Sequence, residues 1–310
     1  MNIPYEAVGF PSPIGSGSLI VTWSELVWAA ITYGKSSSCY HLKYPGYSMK
    51  EKIYRTYFLY SCLTQKRGLL YKSDLYKGMD QSEKGYASYF LGMTLTKLLA
   101  DRLLGVPLLW HVSAASEAIS YTPGGSRPDL IGCGLKLNKW IVAEAKGRSG
   151  KFDSLALSRA KDQSRMITTI NGQAPMLRFG SESYFSPNLC IKMEDPPALR
   201  EAAPVEFDIN LALYEYYSIF SVLKERGAKE NIFGINYLIM YDGDLGVSIG
   251  LPAEFNITAS KSGLPALDAI QSIDLPSSQF EHIGADGFFI RLDSRWSEQE
   301  MMKEPHERGG

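Results

Sequence analysis

Two runs decide how this chain is read: Arg127-Pro128-Asp129-Leu130-Ile131-Gly132-Cys133 and, after six polar or mixed residues, Trp140-Ile141-Val142-Ala143-Glu144-Ala145-Lys146. Each is short and mostly apolar, and their spacing predicts a hairpin of two strands. Side chains alternate along a strand, so Glu144 and Lys146, two apart, share a face. A turn centred between Lys136 and Leu137 sets Asp129 opposite Glu144, and a slip of a residue or two leaves them diagonal neighbours. Two carboxyls and an amine then crowd one patch of sheet. Adjacent like charges raise each other's pKa, and a divalent cation relieves the repulsion. Hard Mg²⁺ takes one or two carboxylates together with waters and phosphate oxygens. An amine at Lys146 is suited to orient or deprotonate a water, or to stabilise charge developing on a phosphate.

Outward from the hairpin, the upstream pattern is helical. Thr22 with Glu25, and Ser48 with Glu51, match the Ser/Thr-x-x-Glu capping signature. The second opens a helix through Ile53, Tyr54, Tyr57, Phe58 and Leu63 that stops near Gly68. A third helix starts at Asp80–Glu83 and runs through Tyr86, Phe90 and Met93 to Leu104, with Gly105 as its stop. Leu108–Val112 reads as a buried strand, and Glu117–Tyr121 as a further extended segment. Beyond the hairpin a helix is expected over Ser154–Ile170, stopped by Asn171-Gly172, then a strand at Met176–Phe179. Asp195-Pro196-Pro197 marks a boundary before a long helix, Phe207–Arg226, and strands at Tyr237–Tyr241, Val247–Leu251 and Gly287–Leu292. The fold class expected is α/β: a helical N-terminal region over 1–81, a core over 82–190, and an α/β extension over 191–310 that stands beside the core or completes it.

Pro128-Asp129, a fourteen-residue spacer and Glu144-Ala145-Lys146 together resemble the signature of the PD-(D/E)XK nuclease superfamily. The order helix, three strands, helix, strand over 82–180 is similar to the αβββαβ core of its restriction-endonuclease-like fold. The resemblance covers about a third of the chain, and 128–129 is the sole Pro-Asp and 144–146 the sole acidic-x-Lys in it. It implies that Asp129, Glu144 and the Ala145 carbonyl hold Mg²⁺, with Mn²⁺ able to substitute, and that Lys146 is the catalytic lysine. Family members often add an acid from the preceding helix. Glu83 is the best candidate, although it also stands where a capping-box glutamate would, after Asp80; Asp101 and Glu117 are weaker choices. The following helix often offers a polar or basic side chain to phosphates, and Gln163 is available there with Arg159, Lys161 and Arg165.

The resemblance implies a metal-dependent nuclease acting on DNA, with RNA as a further possible substrate, in restriction, repair or defence against foreign DNA. A homodimer or a partner protein is expected with it. The competing class is a nucleic-acid-binding or scaffold protein that keeps the fold without cleavage, against which the intact Asp129, Glu144 and Lys146 argue. An acid/base glycosidase pair is disfavoured, because carboxylates on paired strand positions leave no room for an inverting water and Lys146 would have no task.

Composition narrows the partners. The formal charge of −1 among 310 residues excludes a generally basic binder, so a polyanion must meet a local patch. One exists: residues 139–168 carry seven Lys/Arg, Arg148, Lys151, Arg159 and Lys161 among them, against three acids. Such a stretch binds nucleic-acid backbones by counterion release. The four cysteines are scattered without metal-ligand spacing, and the four histidines show no paired spacing, His111 reading as a satisfied core residue. The tyrosines between 33 and 60, including Tyr40 and Tyr44, are candidates for base stacking or for packing. With no secretory signal and no apolar run long enough to span a bilayer, a soluble cytoplasmic protein without membrane contact is expected.

Overall fold

The computed structural model describes residues 1–34, 45–113, 119–121, 127–195, 203–258, 261–263 and 278–296; Glu117, Tyr40 and Tyr44 lie outside them. Asn2–Val8 (β1) pairs antiparallel with Gly17–Ile20 (β2). Trp23–Thr32 (α1) starts at the expected cap, the Thr22 hydroxyl accepting the Glu25 N–H at 3.1 Å. Pro45–Cys62 (α2) starts earlier than its predicted cap. Proline suits the first helical turn, and Ser48 meets the Ser218 hydroxyl at 3.1 Å while Glu51 salt-bridges Arg55 at 2.6 Å. The helix also ends before Gly68. Leu63–Lys66 (β3) and Leu69–Lys72 (β4) form a hairpin whose turn residues, Arg67 and Gly68, have φ of 51° and 75°. Two successive positive φ values make the tight turn that matches strand twist.

Asp74–Gly78 (α3) leads to Gln81–Leu104 (α4), which has the predicted boundaries: an Asp80 capping box, and Gly105 in the left-handed region at φ 64°. Leu108–His111 (β5), Ile119–Tyr121 (β6), Leu130–Cys133 (β7) and Trp140–Gly147 (β8) follow. The next helix, Ser154–Ser164 (α5), is shorter than expected, because Ile167–Ile170 (β9) is a strand closed by a turn at Asn171-Gly172, φ 50° and 74°. Leu177–Phe185 (β10) and Leu189–Glu194 (β11) complete the central sheet, in the order β3-β4-β1-β11-β10-β8-β7-β5 with β2 beside β1. The N-terminal region expected to be helical therefore supplies four of this sheet's nine strands, β1 lying parallel to β11.

The long helix expected at 207–226 is instead Ala203–Phe207 (β12), Ile209–Tyr216 (α6) and Phe220–Arg226 (α7). Asp208 interrupts it by capping α6, its carboxylate accepting the Asn210 and Leu211 N–H groups. β12 joins β6 and β9 in a small sheet. Ala228–Ile232 (β13), Ile235–Asp242 (β14), Val247–Pro252 (β15), the pair Asn256–Thr258 (β16) and Lys261–Gly263 (β17), Glu281–Ile283 (β18) and Phe289–Leu292 (β19) follow, with β13-β14-β15-β19-β18 forming one sheet. The chain is mixed α/β, and one hydrophobic cluster extends from Ile3 to Trp296 without a break at 81 or 190. Among the described residues no helix is long and apolar enough to cross a membrane.

Candidate active site

The predicted hairpin forms in the predicted register. Leu130 pairs with Ala143 and Ile131 with Val142, so Asp129, just before β7, falls opposite Glu144. β5 runs antiparallel to β7, and β10 runs parallel to β8. Two helices hold β8 from opposite faces. On one, α4 approaches so closely that a Cβ on Gly92 would lie 2.9 Å from the Lys146 backbone, and one on Gly147 would lie 1.7 Å from the Ser88 carbonyl. On the other, α5 rests on Gly180, the strand partner of Glu144, where a Cβ would meet that of Ala160 at 2.9 Å. In-register partners project alike, so Glu144 and Lys146 face α5.

The side chains knit together. Glu144 is almost fully buried; its Oε2 accepts the Asp129 N–H at 2.7 Å and its Oε1 accepts from Lys146 Nζ at 2.5 Å. Asp129 Oδ2 accepts the Ala145 N–H at 3.1 Å. Lys146 Nζ also donates to Gln163 Oε1 at 2.8 Å, so α5 contributes the glutamine its sequence offered. Burial first, and then the neighbouring Asp129 charge, push the Glu144 carboxyl up to about 7, while Lys146 pulls it back. Burial also raises Asp129, against the Ala145 N–H, His111 and Lys146. The Asp129 N–H on the Glu144 carboxyl and the Ala145 N–H on the Asp129 carboxyl hold the two acids side by side, and when both are ionised they outnumber the one Lys146 ammonium.

His111 is buried and hydrogen-bonded, as read, and its ring also lies beside Asp129. The Ser113 N–H donates to its Nδ1 at 3.1 Å, which leaves the proton on Nε2, 3.9 Å from Asp129 Oδ1. Burial lowers its pKa, against the pull of Asp129. Glu182, also not singled out by sequence, lies on β10 in register with Lys146 and is fully buried. Its Oε1 accepts the Asp153 N–H at 2.8 Å, its Oε2 has no partner among the described residues, and burial lifts it to about 7.

Glu83 takes its other reading. Its Oε2 accepts the Asp80 N–H at 2.9 Å in the capping box, and no contact joins it to Asp129, Glu144 or Lys146 among the described residues. Asp101 sits at the far end of α4, where burial raises it to about 6 beside Lys97 and Asp286. Of the basic residues, Lys161 is ion-paired with Glu194 at 2.5 Å and Arg148 with Asp153 at 2.7 Å. Arg159 and Lys151 are exposed. Arg148 and Lys151 line a cleft of about 300 Å³ between the loop after β8 and Gln81, Gly85 and Ser88 of α4.

The donor set suits a hard divalent cation. Asp129 and Glu144 offer only carboxylate oxygens, held side by side by backbone N–H groups across the hairpin, and a cation would offset their mutual repulsion. No cluster of three or more His, Cys, Asp or Glu suited to a metal occurs among the described residues. Two carboxylates, the Ala145 carbonyl and water would have to suffice, which is the ligand count Mg²⁺ accepts beside a phosphate. No family model, no curated protein and no solved structure matches the chain.

Proposed function

We propose that this chain is a divalent-cation-dependent nuclease of PD-(D/E)XK type that hydrolyses DNA phosphodiesters at Asp129, Glu144 and Lys146. The observation that carries the reading is the convergence of these three side chains with Gln163, on strands joined as β5-β7-β8-β10 between α4 and α5. That layout supports a restriction-endonuclease-like core. β5, β7 and β8 are antiparallel neighbours, β10 is parallel to β8, and the helices α4 and α5 precede and follow the three-strand set.

In hydrolysis, a water oxygen bonds to phosphorus as one phosphorus–oxygen bond to sugar breaks; the water loses a proton and the leaving oxygen gains one. Lys146 supplies positive charge where negative charge develops on the phosphate, and Gln163 and Glu144 fix its ammonium from two sides. Asp129 and Glu144, each anchored by a backbone N–H across the β7–β8 pair, hold their oxygens at a fixed spacing. A bound cation would supply Lewis acidity and an activated water. Arg148 and Lys151 line the cleft beyond Gly147 and would contact flanking phosphates.

The test is incubation of purified protein with plasmid, linear DNA and RNA in Mg²⁺, Mn²⁺ or EDTA, beside Lys146→Ala and Asp129→Ala. Cleavage that requires the cation and is lost in both variants is expected. Cleavage surviving in both rejects the site, and binding without cleavage under every condition favours a scaffold.

A further inference from the structure

The candidate site opens beside a surface of exposed tyrosines that no catalytic role absorbs. On α2, Lys50, Tyr54 and Tyr57 recur at i, i+4 and i+7, and on α4, Tyr86 and Tyr89 recur at i, i+3, so each set lies on one helix face. Tyr54, Tyr57, Tyr86 and Tyr89 are 50%, 46%, 47% and 39% exposed, although large rings gain by burial. The two faces form one surface. Tyr54 stacks on Phe58 with centroids 5.9 Å apart and planes at 16°, and Phe58 in turn meets Tyr86 at 5.1 Å.

Asp129 links the two faces of the sheet: it falls opposite Glu144, which faces α5, while its Oδ1 lies 3.9 Å from His111, which pairs with Leu130 and so projects toward α4. Tyr89 lies between Ser88 and Gly92, the two points where α4 touches the end of β8. After burial, the charge of Asp129 is the next cause raising its phenol, so the ring is within Coulombic reach of the carboxyls. Ser88, one residue back, lines the cleft with Arg148 and Lys151. Cationic groups therefore stand at both ends of the ring surface, Lys50 at one and the cleft at the other.

We infer that Tyr54, Tyr57, Tyr86 and Tyr89 form a stacking platform that delivers single-stranded nucleic acid to Asp129 and Glu144. The inference rests on the nuclease reading of that site and names its substrate class. Phenol rings flanked by cations match unpaired bases on a phosphate backbone, since every base offers a π-face and every linkage a charge. A duplex keeps its bases stacked on one another and leaves such rings unused.

The experiment measures fluorescence anisotropy of labelled oligothymidylate and of a duplex of equal length, titrated with full-length protein in EDTA, where no cleavage competes. The wild type should bind the single strand about tenfold more tightly than the duplex. Tyr54→Leu/Tyr86→Leu should weaken single-strand binding at least about fivefold and leave duplex binding unchanged. The matching phenylalanine pair, which keeps the π-faces, should retain wild-type affinity. Tyr57→Leu, further from the core, reports the same loss should the double variant unfold by circular dichroism. Equal affinity for strand and duplex, or leucine variants that bind like wild type, overturns the inference. Cleavage in Mg²⁺ is scored separately. Duplex-preferring cleavage removes the platform and spares the nuclease, whereas ring-dependent strand binding without cleavage in any cation keeps the platform and removes the nuclease.

Discussion

Lys146 is gripped by Glu144 at 2.5 Å and Gln163 at 2.8 Å, so its removal and its misplacement should differ in size. Lys146→Ala is expected to lower kcat by at least about a hundredfold. Gln163→Ala, which leaves the Glu144 contact, should lower kcat by about tenfold with KM little changed, since it disturbs only the aim of the ammonium; initial rates on one oligonucleotide separate the two. Glu83→Gln should leave cleavage unchanged, because that side chain serves the α4 cap. Glu182 makes a stability prediction. Its folded pKa, about 7, exceeds the ordinary carboxylate value, so stability is highest while the group is protonated in both states and falls as pH rises toward about 7. Urea midpoints at about pH 5 and about pH 8 should therefore drop more for the wild type than for Glu182→Gln, which carries no charge to bury. The Asp-Glu-Lys spacing was legible because one hairpin holds all three. His111 was not, because its closeness to Asp129 arises from the β5–β7 register; a histidine ending a strand beside the aspartate's strand is the one signal that pointed there.

Elements were legible where capping chemistry was unambiguous, as for α4 between Asp80 and Gly105, and misread where a glycine had two meanings. Gly68 and Gly172 read as helix stops, yet each is the second residue of a turn with two positive φ values, as is Gly234 after Phe233. Asn171-Gly172 in particular carries the composition of a hairpin turn, which apolar helical periodicity over 154–170 obscured. The helix-to-strand approach at Gly147 was invisible without the packing. A Cβ there would strike the Ser88 carbonyl, and backbone cannot swing aside as a side chain can. Gly147→Ala should thus destabilise the protein by about 1–3 kcal/mol and displace Lys146 enough to reduce cleavage. Chemical denaturation and activity on the same preparation check both effects.

At the scale of the molecule, the three regions share one core, and a buried polar cluster fastens the last to the first. Asp286 accepts from Trp28 of α1 at 2.8 Å and from Tyr216 of α6 at 2.5 Å, and Lys97 of α4, fully buried, reaches Asp286 at 3.5 Å along with Tyr216 and the Pro107 carbonyl. Asp286→Ala strands a buried ammonium, a loss of about 3–5 kcal/mol. It should lower one cooperative transition seen alike by tryptophan fluorescence and far-ultraviolet circular dichroism, where independent domains would give two. Sequence placed strands in both flanks imperfectly because their partners are distant: β1 finds β11 across most of the chain, and no local pattern encodes that pairing. The proposed hydrolysis at Asp129, Glu144 and Lys146 would leave a chemical trace in its products. Single-stranded DNA cut in ¹⁸O-labelled water with Mg²⁺ tests it most directly. The expected result is one labelled oxygen in each new terminal phosphate from the wild type, formed at least about a hundredfold more slowly by Lys146→Ala. Unlabelled products, or equal rates from the two proteins, would contradict it.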